Sequence, residues 1–301
     1  MKHFLIKTIK GIAILLLIFL GLNFFVFPNN DNQMHAKYKL LETQKEATVL
    51  ILGNSHTFFG INPAKSSFKM INIANKGRKI ETDYYLLKEN IDKLEKVKVV
   101  ILPISHCKMH VVSLTEQEKR LYYNYYKVEE YKQSFFKNSL IFNEPFRELI
   151  NDALFKNKKI NSLGWRANSK TYKKDTIEIK NRIANAEGTF YDGNTINCSE
   201  NFILKINTLC KKYDKKLVLL IPPYHPDYYR YSNVLYQKNV RNQLRNLSQK
   251  HQMFFIDGKD LGIKNDSLFE NVDHLNINGA AVFTKKIDSI LQTSLRGGRT
   301  K

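Results

Sequence analysis

Thr48-Val-Leu-Ile-Leu-Gly-Asn-Ser-His-Thr57 is the stretch whose reading decides the fold. An apolar, β-branched run stops abruptly at Gly53, Asn54, Ser55 and His56. That is the pattern of a buried strand with a small polar loop at its carboxyl end. In open parallel α/β sheets, ligands and chemistry sit at those carboxyl ends. A serine delivered there by a tight glycine turn is a candidate nucleophile, and a strand followed by an ordinary polar turn is the plainer alternative.

Outward from this stretch the apolar runs repeat. Positions 47–53, 68–74, 97–104, 216–221 and 253–257 read as five strands, and 80–96, 200–212, 232–252 and 277–291 as helices. Asn197 or Ser199 would cap the second of these helices and Ser232 the third. Strands alternating with helices predict a flavodoxin-like three-layer α/β/α fold with a five-stranded parallel sheet. From about 112 to 195 the pattern changes, and tyrosines, lysines and phenylalanines crowd into mostly helical segments such as 121–126 and 142–155. This reads as an insertion leaving the third strand above the Ser55 loop. Its aromatic cluster is either a sugar-stacking platform or the insertion's own core.

The amino terminus carries a different signal. Lys2, Lys7 and Lys10 precede an apolar run over 11–27 interrupted by Asn23 and two glycines. With 4–9 included, the run is long enough for one transmembrane helix, which needs about 20 residues. Phe24, Phe25 and Phe27 close it before Pro28-Asn-Asn-Asp31. Basic residues ahead of the apolar run favour a cytoplasmic amino terminus and export of the chain beyond the apolar run. The long core and poor cleavage site favour a signal anchor over a cleaved signal peptide. The expected organisation is therefore a tip and anchor at 1–28, a juxtamembrane linker or short helix at 29–46, an α/β domain at 47–295 and a basic tail at 296–301. The expected location is a single-pass membrane protein with its catalytic domain on the extracytoplasmic side.

The 301 residues, 43% hydrophobic and 12% aromatic, sustain a packed core and exclude global disorder. Lys+Arg 48 against Asp+Glu 28 gives a formal charge of +20, a field that attracts anionic polymers and lipid head groups. The basic residues are spread along the chain without an arginine-rich arm, which reads as a solvated face, and no nucleic-acid partner is expected. Cys107, Cys198 and Cys210 fit no metal-ligand spacing; a Cys198–Cys210 disulfide and three free thiols both fit the sequence. His106 and His110 have no carboxylate or cysteine spaced to join them, so no metal or cofactor is expected.

Two blocks at opposite ends of the five-strand pattern carry a family likeness. They are Gly53-Asn-Ser-His56 and Asn271-Val-Asp-His-Leu-Asn276, the latter followed by Gly279-Ala280. Together they resemble the SGNH, or GDSL-like, hydrolase superfamily over 47–105 and 200–292. The resemblance implies that Ser55 is the nucleophile and His274 its base. A serine hydroxyl is a poor nucleophile until an imidazole takes its proton, and imidazole changes protonation near neutral pH. It also implies an oxyanion hole from the backbone N–H groups of Ser55 and Gly77, completed by Ser105 or a backbone group.

Three positions depart from the family's pattern. Asn54 stands in place of the first-block aspartate, and Pro103-Ile-Ser-His106 in place of the third block's Gly-x-Asn-Asp. Asn271 stands where the triad aspartate belongs, three residues before His274. An amide stabilises an imidazolium less than a carboxylate does. Asp273 adjoins His274, and consecutive side chains usually diverge. The expectation is a Ser-His dyad assisted by Asn271 or Asp273. His56 either lines the pocket or stabilises the turn. Tyr224 and His225, in the 222–226 loop, either contact substrate or belong to a loop shaped by its prolines.

With an export signal, the chain looks like the cell-envelope branch of the superfamily, which includes proteins of alginate O-acetylation and of D-alanyl transfer to teichoic acids. The resemblance implies an esterase or O-acyltransferase acting through an acyl-enzyme on a polysaccharide or other envelope glycan, with an acyl-transferring membrane partner. The alternative is a catalytically weak or inactive glycan-binding or assembly protein that has kept the fold.

Overall fold

A computed structural model describes residues 1–27, 33–105, 114–154, 160–187 and 196–296. His106, Cys107 and His110 lie outside the described residues. The chain divides into two compact units, Met1–Lys39 with Leu114–Lys159, and Leu40–Ser113 with Ile160–Lys301.

The second unit contains the sheet. Its strands are β1 (Val49–Ile51), β2 (Met70–Asn72), β3 (Val99–Pro103), β4 (Lys216–Ile221) and β5 (Phe254–Asp257). All pair in parallel, in the order β2-β1-β3-β4-β5. The fold is α/β with a five-stranded parallel sheet, as the alternating runs predict. Leu50 and Val100 lie side by side at the centre of the sheet, and both are fully buried. The direction of strand addition reverses between β1 and β3, and at such a switch point the two carboxyl ends splay to leave a crevice. Ser55 follows β1 and Ser105 follows β3, so both belong to that crevice. Helices Ile80–Asn90 and Ile196–Lys212 pack together, as do Ser55–Gly60 and Ile277–Arg296.

The predicted insertion at 112–195 is divided. Residues 114–159 belong to the first unit, while the following segment is woven into the second. Asn72 N donates to Leu163 O at 2.9 Å, Trp165 Nε1 to Phe59 O at 2.7 Å, Tyr172 N to Phe269 O at 2.8 Å and Ile277 N to Asn168 O at 2.7 Å. Sequence periodicity does not reveal this attachment, because the hydrogen bonds leave no pattern and the buried Trp165, Tyr172, Ile179 and Ile183 are spread over a stretch with no strand run.

In the first unit, helix Lys2–Gly21 is 20 residues long, has no buried residue and is apolar enough to cross a membrane, a description that a signal sequence also meets. Helix Glu116–Tyr126 begins with a capping box between Thr115 and Glu118. Tyr122, Tyr126 and Tyr131 are buried, so this part of the aromatic cluster is core rather than an exposed platform.

Two cap assignments are corrected. Asn197 and Ser199 lie inside helix Ile196–Lys212, and the cap before Val234–Lys250 is Asn233, whose side chain accepts from Tyr236 N at 3.0 Å, rather than Ser232. The same helix rules out the Cys198–Cys210 disulfide. Both residues lie on it, about 18 Å apart along its axis at the rise of an α-helix, and a disulfide needs Cα atoms within about 7 Å. Cys210 is a free, fully buried thiol whose pKa burial pushes up to about 12.

Buried Asn72 ties the sheet to the serine-bearing helix. Its Nδ2 donates to Thr57 O at 2.8 Å and Ile61 O at 2.9 Å, and its Oδ1 accepts from Ala74 N at 3.0 Å. Asn72→Leu keeps the bulk but strips Ile61 O of this donor and Ala74 N of this acceptor, while Thr57 O keeps Ile61 N, at a cost of about 1–3 kcal/mol for each buried group left unsatisfied. Urea unfolding should show a loss of about 2–4 kcal/mol with an unchanged denaturant slope.

Candidate active site

The serine loop is built from β1 upward. Gly53 reverses the chain with φ +103, and a Cβ there would fall 2.0 Å from Pro103 Cγ, so the turn admits only glycine. Gly53 N donates to Asp83 Oδ1 at 3.1 Å, and the buried Arg78 guanidinium lies 3.5 Å from the same carboxylate oxygen. Asn54 then caps helix Ser55–Gly60, its Oδ1 accepting from His56 N at 3.0 Å and its Nδ2 donating to Ser105 Oγ at 3.3 Å. An aspartate at this position could cap but could not donate to Ser105. Ser55 is the first residue of the helix and is half-buried at the crevice.

The histidine loop is organised by Asn271. Its Oδ1 accepts from Asp273 N at 3.1 Å and His274 N at 2.9 Å, curling the chain so that successive residues turn inward. Glu270 N donates to His274 O at 2.9 Å and closes the turn. His274 Nε2 then lies 2.8 Å from Ser55 Oγ. The His56 ring stacks on the His274 ring at 4.8 Å with a 20° interplanar angle, and the Phe59 ring meets it edge-on at 5.8 Å. This packing leaves the imidazole little freedom to swing away from the serine.

Asp273 departs from the expectation of divergence. Its Oδ1 lies 3.3 Å from His274 Nδ1, and Asn271 Oδ1 is also 3.3 Å from that nitrogen. The curl around Asn271 is one reason, and Arg182 is the other. Arg182, on helix Thr176–Glu187, donates from Nε to Asp273 Oδ1 at 2.5 Å, and its Nη2 lies 3.2 Å from His274 Nδ1. Burial would raise the Asp273 pKa, but His274, His56 and Arg182 outweigh it and hold the carboxyl well below the usual carboxylate range.

Ser55, His274, Asn271, Asp273 and His56 thus converge. Gly77 sits in an exposed turn with φ +69, closed by Arg78 N donating to Asn75 O at 3.2 Å. That turn flanks the serine loop, because Asn75 N donates to Gly53 O at 3.0 Å. Ser105 is fully buried against Asn54. Tyr224 is buried with its ring 5.4 Å from the His56 ring. For His225 the geometry favours the loop-holding alternative over substrate contact. It is buried, its Nδ1 accepts from Asp227 N at 3.1 Å and its Nε2 lies 3.0 Å from Asp266 Oδ1, so both ring nitrogens are engaged in holding the loop. Asp83 and Arg182 were missed by sequence reasoning; the first looks like any polar helix residue, and the second lies in the segment the family likeness does not cover.

His56, Asp273 and His274 also offer ligand atoms within 4.8 Å of one another, the spacing of a metal-ligand group. A metal there would have to compete with the Ser55 and Arg182 contacts. Beside the histidine loop, a cavity of about 470 Å³ is lined by residues that include Lys170, Tyr172, Asp175, Arg182, Glu270 and Asn271.

The sheet order, the serine after β1 and the histidine before the last helix are the arrangement that the SGNH/GDSL-like resemblance in the sequence implies. No protein-family model matches the chain, and a search of curated proteins finds no match. Among solved structures, the chain is similar to a provisionally described platelet activating factor from Streptococcus pneumonia, at 15% identity and TM-score 0.44, covering 93% of this chain and 99% of that one. It is similar to a GDSL-like lipase from Bacteroides thetaiotaomicron at 10% identity and TM-score 0.45, covering 86% and 99%. A provisionally described acylhydrolase from Bacteroides fragilis is similar at 12% identity and TM-score 0.41, covering 82% and 87%.

The depressed Asp273 carboxyl has a pH signature. An acid whose folded pKa lies below its unfolded value, about 3.9 for aspartate, contributes stability that is complete above that value. The contribution fades as pH falls through the folded value. The stability gap between wild type and Asp273→Asn, measured by urea unfolding, should be constant between about pH 5 and 6 and should narrow only below about pH 4.

Proposed function

We propose that this chain is a serine acyl-ester hydrolase or O-acyltransferase that works through Ser55 and His274. The observation that carries the reading is the 2.8 Å contact between Ser55 Oγ and His274 Nε2 at the switch point of the sheet. His274 takes the hydroxyl proton as Ser55 attacks the ester carbonyl, and returns it to the departing alkoxide. The resulting acyl-serine is then attacked by water in a hydrolase or by a sugar hydroxyl in a transferase. The backbone N–H groups of Ser55 and Gly77 are the proposed donors to the tetrahedral oxyanion, and Ser105, fully buried against Asn54, supports the serine loop from behind. The carboxylate of Asp273 offsets the positive charge that develops on His274.

In this reading helix Lys2–Gly21 anchors the chain in a membrane with the sheet-bearing unit on the extracytoplasmic side, and the acceptor is a polysaccharide or other envelope glycan. Three early lysines and the length of the apolar helix favour that placement. Tethering would confine turnover to esters near the bilayer and raise their effective concentration. An acyl-transferring membrane partner would supply the donor.

Hydrolysis of a small aryl acetate by the full chain in detergent should fall about a thousandfold or more in Ser55→Ala. Equal rates in wild type and variant would contradict the assignment. Offering an acetyl donor with and without glycan separates the two fates: acetyl appearing on glycan marks a transferase, and free acetate alone marks a hydrolase. Glycan binding that survives Ser55→Ala, with no ester turnover by wild type, would instead mark a binding protein that kept the fold.

A further inference from the structure

Asn271 occupies the position from which an acid would orient the histidine, yet its geometry shows why it cannot do that work. An amide oxygen has two lone pairs. Both are committed, to Asp273 N at 3.1 Å and His274 N at 2.9 Å, so the 3.3 Å approach to His274 Nδ1 is a third and weak one. Asp273 Oδ1 is equally close to Nδ1 and carries the negative charge that an imidazolium needs. Something must hold that carboxylate against its own neighbour in sequence. The guanidinium of Arg182 does so from a different helix, donating to the same Oδ1 at 2.5 Å. Arg182 is itself fixed from below, because Ile179 and Ile183 on the same helix are buried.

We propose that Arg182 is a positioning residue of this site, holding the Asp273 carboxylate on His274 Nδ1 and so replacing the acid that Asn271 lacks. The inference rests on Ser55 and His274 being nucleophile and base. Arg182 touches no reacting atom; it acts through Asp273. In the competent arrangement Nδ1 carries the proton, shared with Asp273, and Nε2 presents its lone pair to the Ser55 hydroxyl. Arg182 Nη2, 3.2 Å from Nδ1, can only donate, so that contact is a hydrogen bond only when the ring proton sits on Nε2; in the competent tautomer the guanidinium acts through its Nε bond to the Asp273 carboxylate.

Two readouts test this, one of them independent of turnover. In kinetics on the full chain, Arg182→Gln should lower kcat about ten- to a hundredfold with KM within about twofold, the range for partners that orient a site residue. Arg182→Lys, which keeps the charge and loses the fork, should fall between. Adding Asn271→Asp to Arg182→Gln should recover kcat to within about threefold of wild type, since a carboxylate at 271 needs no external clamp. A variant that had merely lost stability would gain nothing from that addition. In ¹⁵N-histidine spectra, with His274 assigned by its absence in His274→Gln, wild type should show the ring protonated at Nδ1, with an Hδ1 signal that is lost or shifted in Arg182→Gln. A ring protonated at Nε2 in wild type, or an unchanged proton signal in Arg182→Gln, would overturn the proposal even if no ester were turned over. Absence of Ser55-dependent turnover, with the proton signal behaving as described, would overturn the functional reading and leave the role of Arg182 in place.

Discussion

Ser55 Oγ and His274 Nε2 meet at 2.8 Å although 219 residues separate them in sequence. Every larger feature of the sheet-bearing unit serves that distance. Parallel pairing puts the carboxyl ends of the strands on one rim, and the reversal between β1 and β3 opens a crevice there. The serine reaches the rim on a short helix knitted to β2 by Asn72. The histidine arrives just ahead of the last helix, which packs against the serine's helix. A loop-borne pair without this framework would be free to drift, and one ångström of drift can cost about a hundredfold in rate.

The electrostatics of the rim are shifted rather than lost. Two positions that hold carboxylates in the resembling family hold amides here, Asn54 and Asn271, and both amides use their oxygen on backbone N–H groups. Negative charge enters from neighbouring positions instead. Asp83 sits beneath the serine turn, paired with buried Arg78, and Asp273 sits beside the histidine, paired with Arg182. Each carboxylate has a guanidinium to offset its desolvation, the condition under which a buried charge is tolerated. The amides shape the loops and the acids set the charge.

The sequence made some of this legible for identifiable reasons. Long apolar runs ending in small polar residues identify all five strands, and β4 spans Lys216–Ile221 as read. Ser55 and His274 stand out because each follows or precedes a strong periodic element. Less legible are the relations that exist only through space. Asp83 looks like a polar position on an ordinary helix, and Arg182 lies in a segment with no strand pattern. The expectation for Asp273 fails because divergence of consecutive side chains holds for regular backbone, not for a turn curled around an amide. The segment after 160 reads as insertion because four backbone-anchored hydrogen bonds leave no periodic trace. His225 looks available on the rim, but both of its ring nitrogens are engaged inside the loop.

In the proposed reaction the acyl group passes through a covalent ester on Ser55. Intact-mass measurement of the full chain after brief mixing with an activated acetyl ester tests it most directly. The predicted result is a single added acetyl group, about 42 Da by the stoichiometry of one acyl transfer, localised by peptide mapping to Ser55 and absent in Ser55→Ala. Ester turnover without any adduct in wild type, or an adduct that persists in Ser55→Ala, would contradict it.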